Sequence, residues 1–277
     1  MNRDEANDLM LLESFKSYEA RKKEGILYSK DDFIPAALIT IYCQSPSRIN
    51  FDEIYYNFKR RYIYNENEME NIHSKEERAG LGVVYDYIQS NDWKKLDSIY
   101  MILVIHQKLY SKTPNPTYGG KFRKTSAFIS NSDVDTTIPE EIPNEVMYLE
   151  EKFKRLTDFA NSIDVNDDND IVDYITECVR LKARLVEIHP FADGNGRTCR
   201  ALLNILFKKA NLPPVYVRNS EKDEYIKAMD DAIRLKNTKA IERFYYYKIC
   251  DSIVELDIKD RIEKIEKSNK IRVRKSV

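Results

Sequence analysis

Glycine is the scarce residue of this chain, and its scarcity limits the folds open to it. Average usage would supply roughly 19 in a chain of this length; there are 7 among 277 residues. So few leave little room for tight hairpins, glycine-rich loops or a glycine-patterned repeat. A scaffold of helices needs almost none, and the apolar residues recur at helical spacing. Ile171, Ile175, Cys178, Val179 and Val186 mark one face of a helix over 169–188, with Asp168 and Asn169 as candidate N-caps. Ala201, Leu202, Ile205 and Leu206 do the same over 197–210, which Asn211 and Pro213–Pro214 end. Further helices are expected at 51–69, 74–90, 221–235 and 239–268. Only 118–130 differs in character. There a Gly119–Gly120 turn precedes β-branched, aromatic and polar residues, which predicts a short strand or hairpin. The expected fold class is all-α, a helical bundle with one short β-hairpin.

Composition excludes several functions. Lys+Arg is 45 against Asp+Glu 46, a net charge of -1, so no basic surplus points to nucleic acid. The basic stretch 267–275, with Lys270, Arg272, Arg274 and Lys275, reads as a solvated tail. Cys43, Cys178, Cys199 and Cys250 form no CxxC pair. They read as buried thiols of a reducing compartment rather than as a zinc ribbon or a disulfide framework. No run approaches the ~18 apolar residues of a membrane span. Residues 1–13 carry charges throughout without an apolar signal core, so a cytoplasmic location with no membrane partner is expected. The acidic run 164–170 lacks the central glycine and distal glutamate of a calcium loop. His73 and His106 read as structural or solvated, and Trp93 as a packing residue.

Two of the 7 glycines and one of the 3 histidines fall between His189 and Gly196, in the segment His189-Pro190-Phe191-Ala192-Asp193-Gly194-Asn195-Gly196-Arg197-Thr198-Cys199-Arg200. It joins two expected helices. Gly194-Asn195-Gly196 can aim successive N–H groups at one anion, at the positive end of the following helix. Arg197 and Arg200 are three apart and share one side of its first turn. Two guanidiniums beside a backbone nest describe a polyphosphate site. Asp193 is a natural Mg²⁺ ligand there. His189 is the one side chain of the segment that exchanges a proton near neutral pH. Anion cradle, metal and general base together point to phosphoryl or nucleotidyl transfer.

This segment resembles the signature of the Fic-domain family, His-x-Phe-x-Asp/Glu-Gly-Asn-Gly-Arg-x-x-Arg, with every defined position matched. The resemblance extends over about 65–255, through a flap-like stretch at 120–130 and closing helices at 223–244. It implies a Fic fold and transfer of AMP from ATP to a Tyr, Ser or Thr hydroxyl of a target protein. His189 would deprotonate that hydroxyl. Asp193 would hold Mg²⁺, and Gly194, Asn195 and Gly196 would bind phosphate oxygens. Arg197 would neutralise the pyrophosphate, and Arg200 would hold the γ-phosphate. The flap residues Lys124, Thr125, Ser126, Ala127 and Phe128 would align the target by strand addition. An inhibitory helix is also implied, because Glu66-Asn67-Glu68-Met69-Glu70-Asn71 is similar to the family's Ser/Thr-x-x-x-Glu-Gly/Asn. Glu70 would pair with Arg200 and displace the γ-phosphate. Glu66 stands where that pattern has Ser or Thr.

The expected organisation is an N-terminal helical region at 1–72 carrying the inhibitory helix, a Fic core at 73–255, and a helix end with basic tail at 256–277. Related chemistries stay open: removal of AMP, or transfer of UMP, phosphocholine or phosphate. The glycine after Asn195 favours nucleotidyl over phosphate transfer. A nucleotide-binding regulatory module with little turnover is the alternative of another class. Self-modification and homo-oligomerisation are further open partners.

Overall fold

The helix that begins in the signature segment lies at the centre of the molecule. The structure, a computed structural model, describes residues 3–23, 39, 51–90, 92–129, 134–164 and 167–258. Its helices are α1 (Arg3–Lys23), α2 (Phe51–Met69), α3 (Lys75–Gln89), α4 (Met101–Tyr110), α5 (Ile142–Ser162), α6 (Asp168–Ile188), α7 (Asn195–Lys209), α8 (Lys222–Arg234) and α9 (Lys239–Ile253). A π-helical turn, Val254–Ile258, continues α9. Helix α7 packs against α3, α4, α5 and α6. Its run Arg197–Phe207 is buried throughout, which requires packed neighbours on all sides. Asn204, buried within it, accepts the Val215 N–H at 2.7 Å and donates to the Val215 carbonyl at 3.0 Å, fastening the extended segment that follows.

The helices form where the apolar spacing places them, with small shifts at the ends. Asp167, not Asp168 or Asn169, caps α6: its Oδ1 accepts the Asn169 N–H at 2.9 Å. Helix α7 starts at Asn195, so the motif's second glycine already belongs to it. The part of the 239–268 helix beyond 258 lies outside the described residues, as do the 267–275 tail, Cys43 and Ser130. Cys178, Cys199 and Cys250 are buried. Among the described residues no helix is long and apolar enough to cross a membrane.

The expected hairpin is much reduced. Among the described residues, its stretch holds a single antiparallel bridge, Phe128 to Asp135, and no strand. Gly119 and Gly120 serve close packing rather than a hairpin turn. A Cβ on Gly119 would lie 2.8 Å from the Gln107 Cα and the His106 carbonyl oxygen of α4. Gly120 takes the left-handed conformation, φ 78°. Side chains hold the two arms instead of a ladder: the Thr136 hydroxyl donates to the Ala127 carbonyl at 2.6 Å.

Close approach also explains Gly80 on α3, where an added Cβ would sit 1.9 Å from the Leu109 carbonyl oxygen at the end of α4. At Gly82 the nearest atom would be the Ile63 Cδ1 at an ordinary 3.6 Å. Gly80→Ala is expected to destabilise the fold by about 2 kcal/mol or more. Gly82→Ala should be neutral or stabilising by up to about 1 kcal/mol. Denaturant midpoints of the two variants check this contrast.

Candidate active site

The loop from His189 to Gly194 turns the chain from the end of α6 into the start of α7. Two positions in it need the left-handed backbone, His189 (φ 54°, ψ 59°) and Gly194 (φ 75°). Glycine takes that conformation without strain, whereas histidine must be held in it. Asn195 closes the loop on itself: its Nδ2 donates to the Phe191 carbonyl and its Oδ1 accepts the Phe191 N–H, both at 2.8 Å. The Asn195 side chain is therefore committed to the loop, and only its backbone N–H remains for an anion cradle. Phe191 is fully buried and stacks on the His106 ring, with centroids 3.9 Å apart and planes within 5°.

His106, read from the sequence as structural or solvated, is structural and fixes this loop from α4. The Gly120 N–H donates to its Nδ1 at 2.8 Å. Its Nε2 therefore carries the proton and donates to the Asp193 carbonyl at 3.0 Å. Burial pushes the ring down to about 4, against which the Asp193 carbonyl and carboxylate pull upward. Protonation would set the charged Nδ1–H against the Gly120 N–H, two donors facing each other.

Arg197 is buried on the α3 and α4 side. It donates to Glu77 Oε2 at 2.7 Å, and its Nη2 lies 3.5 Å from Asp193 Oδ2. Tyr110 donates to that same Asp193 oxygen at 2.7 Å. The Asp193 side chain is otherwise 62% exposed. Among the described residues no cluster of three His, Cys, Asp or Glu forms a cage made of protein alone. One open carboxylate beside an anion cradle nevertheless fits Mg²⁺, which takes one or two carboxylates when phosphate oxygens complete its shell.

Arg200 sits between a carboxylate of α2, Glu66, and one just past its end, Glu70. Its Nε donates to Glu66 Oε2 at 2.6 Å and its Nη2 to Glu70 Oε1 at 2.8 Å. Glu66 is fully buried, and burial pushes its carboxyl above the ordinary range despite Arg200. Burial would raise Glu70 too, but the charge and hydrogen bond of Arg200 bring it below. Lys182 of α6, also fully buried, donates to the Tyr225 hydroxyl at 2.5 Å and lowers Glu66 by its charge. Arg200 thus joins a buried carboxylate, Glu66, to a more exposed one, Glu70, and lies 5.8 Å over the Tyr225 ring. The Glu70 carboxylate rests on the start of α7: a Cβ on Gly196 would be 2.4 Å from its Oε1 and 2.9 Å from Arg200 Nη1. An anion therefore already sits between the helix N-terminus and the guanidinium, where the sequence reading places a phosphate.

Burial, helped by the Arg123 charge, holds the His189 imidazole below the ordinary histidine value. That shift favours the neutral ring, the form in which an imidazole can accept a proton. The Val186 carbonyl favours a proton on the ring, and the buried Nδ1 makes no well-formed hydrogen bond.

The structure brings Asp193, Arg197, Arg200, Glu70 and the 194–196 loop together, with His189 close enough to feel the charges of Glu70 and Asp193. Sequence reasoning missed Glu77, Tyr110, Lys182 and Arg123 as supports, and saw Glu66 only as a departure. Only Glu66 left a readable signal, being four residues from Glu70 and thus on the same helix face.

Residues 96–207 match the Fic/DOC family. A "Protein adenylyltransferase Fic" of Nematostella vectensis is 29% identical over 158 residues, which are 56% of this chain and 34% of that protein. The chain therefore spans about a third of the length of that relative. A Fic domain containing signaling protein from Bacteroides thetaiotaomicron shares the fold, with a TM-score of 0.63 and 15% identity over 79% of this chain and 92% of the other. The BepC protein from Bartonella tribocorum, determined with bound AMPPNP, aligns with a TM-score of 0.50 and 15% identity over 71% of this chain and 86% of its own.

His106 carries a testable consequence. With a folded value near 4 against 6.5 unfolded, the unfolded chain binds more protons between these limits, so the His106 contribution to stability is lost as pH falls from 6.5 to 4. The loss attributable to His106 is about 3 kcal/mol. The stability difference between pH 7 and pH 4 should shrink by that amount in His106→Gln. Denaturant unfolding of both proteins at the two pH values measures it.

Proposed function

From the match of residues 96–207 to the Fic/DOC family, we propose that this chain transfers AMP from ATP to a hydroxyl on a target protein, and that α2 holds it in an inhibited state. The observation that carries this reading is the Glu70 carboxylate lodged between Gly196 and Arg200. A seat that holds a carboxylate against a helix N-terminus and an arginine is built for an anion. The AMPPNP of the BepC structure agrees with a nucleotide as that anion.

The chemistry follows from the loop. The Gly194, Asn195 and Gly196 backbone groups and the α7 dipole receive phosphate oxygens. Arg197, fixed by Glu77, neutralises charge on the departing pyrophosphate. Arg200 holds the γ-phosphate and so aligns the α-phosphorus with the attacking hydroxyl. His189 takes the hydroxyl proton as the new O–P bond forms and the bond to pyrophosphate breaks. Asp193 would hold Mg²⁺, which supplies positive charge to the polyphosphate when bound. The open edge Lys124–Phe128 would pair with an extended target segment; Phe128 there is 78% exposed.

Inhibition is competition for Arg200. The γ-phosphate and Glu70 need the same guanidinium edge, so Glu70 leaves ATP bound without the alignment that transfer requires. Glu66 neutralises the guanidinium from its Nε edge and persists when Glu70 is removed. The brake thus has two carboxylates, and the residue that departs from the family pattern strengthens it.

Protein incubated with Mg²⁺ and ATP, labelled at the α- or the γ-phosphate, tests both claims when read by gel and by intact mass. Glu70→Gly should acquire AMP, with label from the α-position only. Adding His189→Ala should slow transfer by about 10²–10⁴-fold. Glu66→Ser/Glu70→Gly should bind ATP more tightly than Glu70→Gly, by about tenfold, because a like charge near the γ-phosphate is gone. Label from the γ-position only would mean phosphate transfer. Label from neither would leave a nucleotide-binding module.

A further inference from the structure

Arg123 is nearly buried, 5% exposed, and among the described residues no carboxylate contacts it. A guanidinium in that setting must be satisfied by neutral acceptors. Its Nε donates to the His189 carbonyl at 2.7 Å and its Nη1 to the Thr125 carbonyl at 2.8 Å. Its Nη2 donates to the Thr136 hydroxyl at 3.1 Å and to the Thr137 carbonyl. The Arg123 backbone N–H donates to the Pro190 carbonyl at 3.0 Å. One residue therefore bonds to three stretches of chain: the first flap arm at Thr125, the second at Thr136 and Thr137, and the loop at His189 and Pro190. None of these bonds lies within a helix or a β-ladder, and among the described residues the flap has one bridge of its own. His189 moreover holds a left-handed backbone without being glycine, a conformation its surroundings must impose.

We propose that Arg123 is a positioning residue, whose guanidinium fixes the His189 main chain and ties it to both flap arms, so that base and flap move as one body. This rests on the AMP-transfer reading only for what the two parts do. There, the flap would set where the target hydroxyl lies and His189 would remove its proton. A single cross-link would fix the distance between them, and any loosening would act on the rate of transfer rather than on ATP binding. The charge of Arg123 adds to this by favouring the neutral, basic form of His189. Lysine keeps that charge but cannot span the acceptors with a planar fork.

Hydrogen exchange followed by NMR on the full chain without nucleotide is the test. Two amides report the two sides: Arg123 N–H, bonded to Pro190, and His189 N–H, bonded to the Leu185 carbonyl. In Arg123→Lys both should exchange faster, by a common factor of about tenfold or more. The His189 ring resonances should move while those of exposed His73 stay; three histidines keep that spectrum simple. Thr136→Val removes one Arg123 bond together with the Thr136–Ala127 bond between the arms and leaves the other Arg123 bonds, and should accelerate both amides together by a smaller factor. In a Glu70→Gly background, Arg123→Lys should lower kcat and leave the KM for ATP unchanged. Faster exchange at Arg123 with the His189 amide and ring unmoved, in either variant, would overturn the proposal. So would no change in either. Absence of AMP transfer in Glu70→Gly itself would refute the transfer reading and leave the exchange result to decide this one.

Discussion

A guanidinium removed from water has to find hydrogen-bond acceptors, and the pairing of Arg200 with the carboxylates of Glu66 and Glu70 is the contact on which the site depends. Arg200 is 4% exposed and lies in the second turn of the central helix. Left unpaired there, its charge would cost several kcal/mol. Glu66 lies on α2 and Glu70 one residue past its end, so this pairing ties the end of α2 to α7. It also fills the anion seat at the α7 N-terminus. Docking and occupancy are therefore a single event. In the proposed reading, nucleotide competes with the charge pair that holds α2 in place.

Around this centre the loop is fixed by groups whose acceptors are mostly neutral. Asn195 bonds to Phe191, His106 bridges Gly120 and Asp193, and Arg123 reaches His189. These contacts place the groups of the proposed reaction without adding negative charge to the cradle. The carboxylates that do approach it, Asp193, Glu70, Glu66 and Glu77, each sit against an arginine. A polyphosphate entering such a site would exchange partners with carboxylates already there.

Much of this was legible in the residues, for reasons that differ by element. Helices such as 51–69 and 169–188 show because burial of one face repeats every turn. The loop shows because its glycines and its histidine are rare elsewhere in the chain and close together here. Arg200 with Glu70 was reached through the family pattern. His106, Tyr110 and Glu77 were not, since each lies more than 80 positions from its partner in the loop and is brought there only by packing. Gly119–Gly120 was read as a turn because a glycine signals permissive backbone. Whether that permission serves a turn or a close approach depends on a neighbour, here Gln107, that no local pattern names. Glu66 was read against the family's hydroxyl as a departure, whereas its place four residues before Glu70 makes it a second partner of the same arginine.

The central claim is that the seat between Gly196 and Arg200 is a phosphate site held by Glu70. The most direct test is a crystal structure of Glu70→Gly with a non-hydrolysable ATP analogue. The account predicts the γ-phosphate on the Arg200 Nη edge and the α7 N-terminus, with Glu66 still on Nε. An analogue bound with its γ-phosphate away from Arg200, or no analogue at the α7 N-terminus, would contradict it.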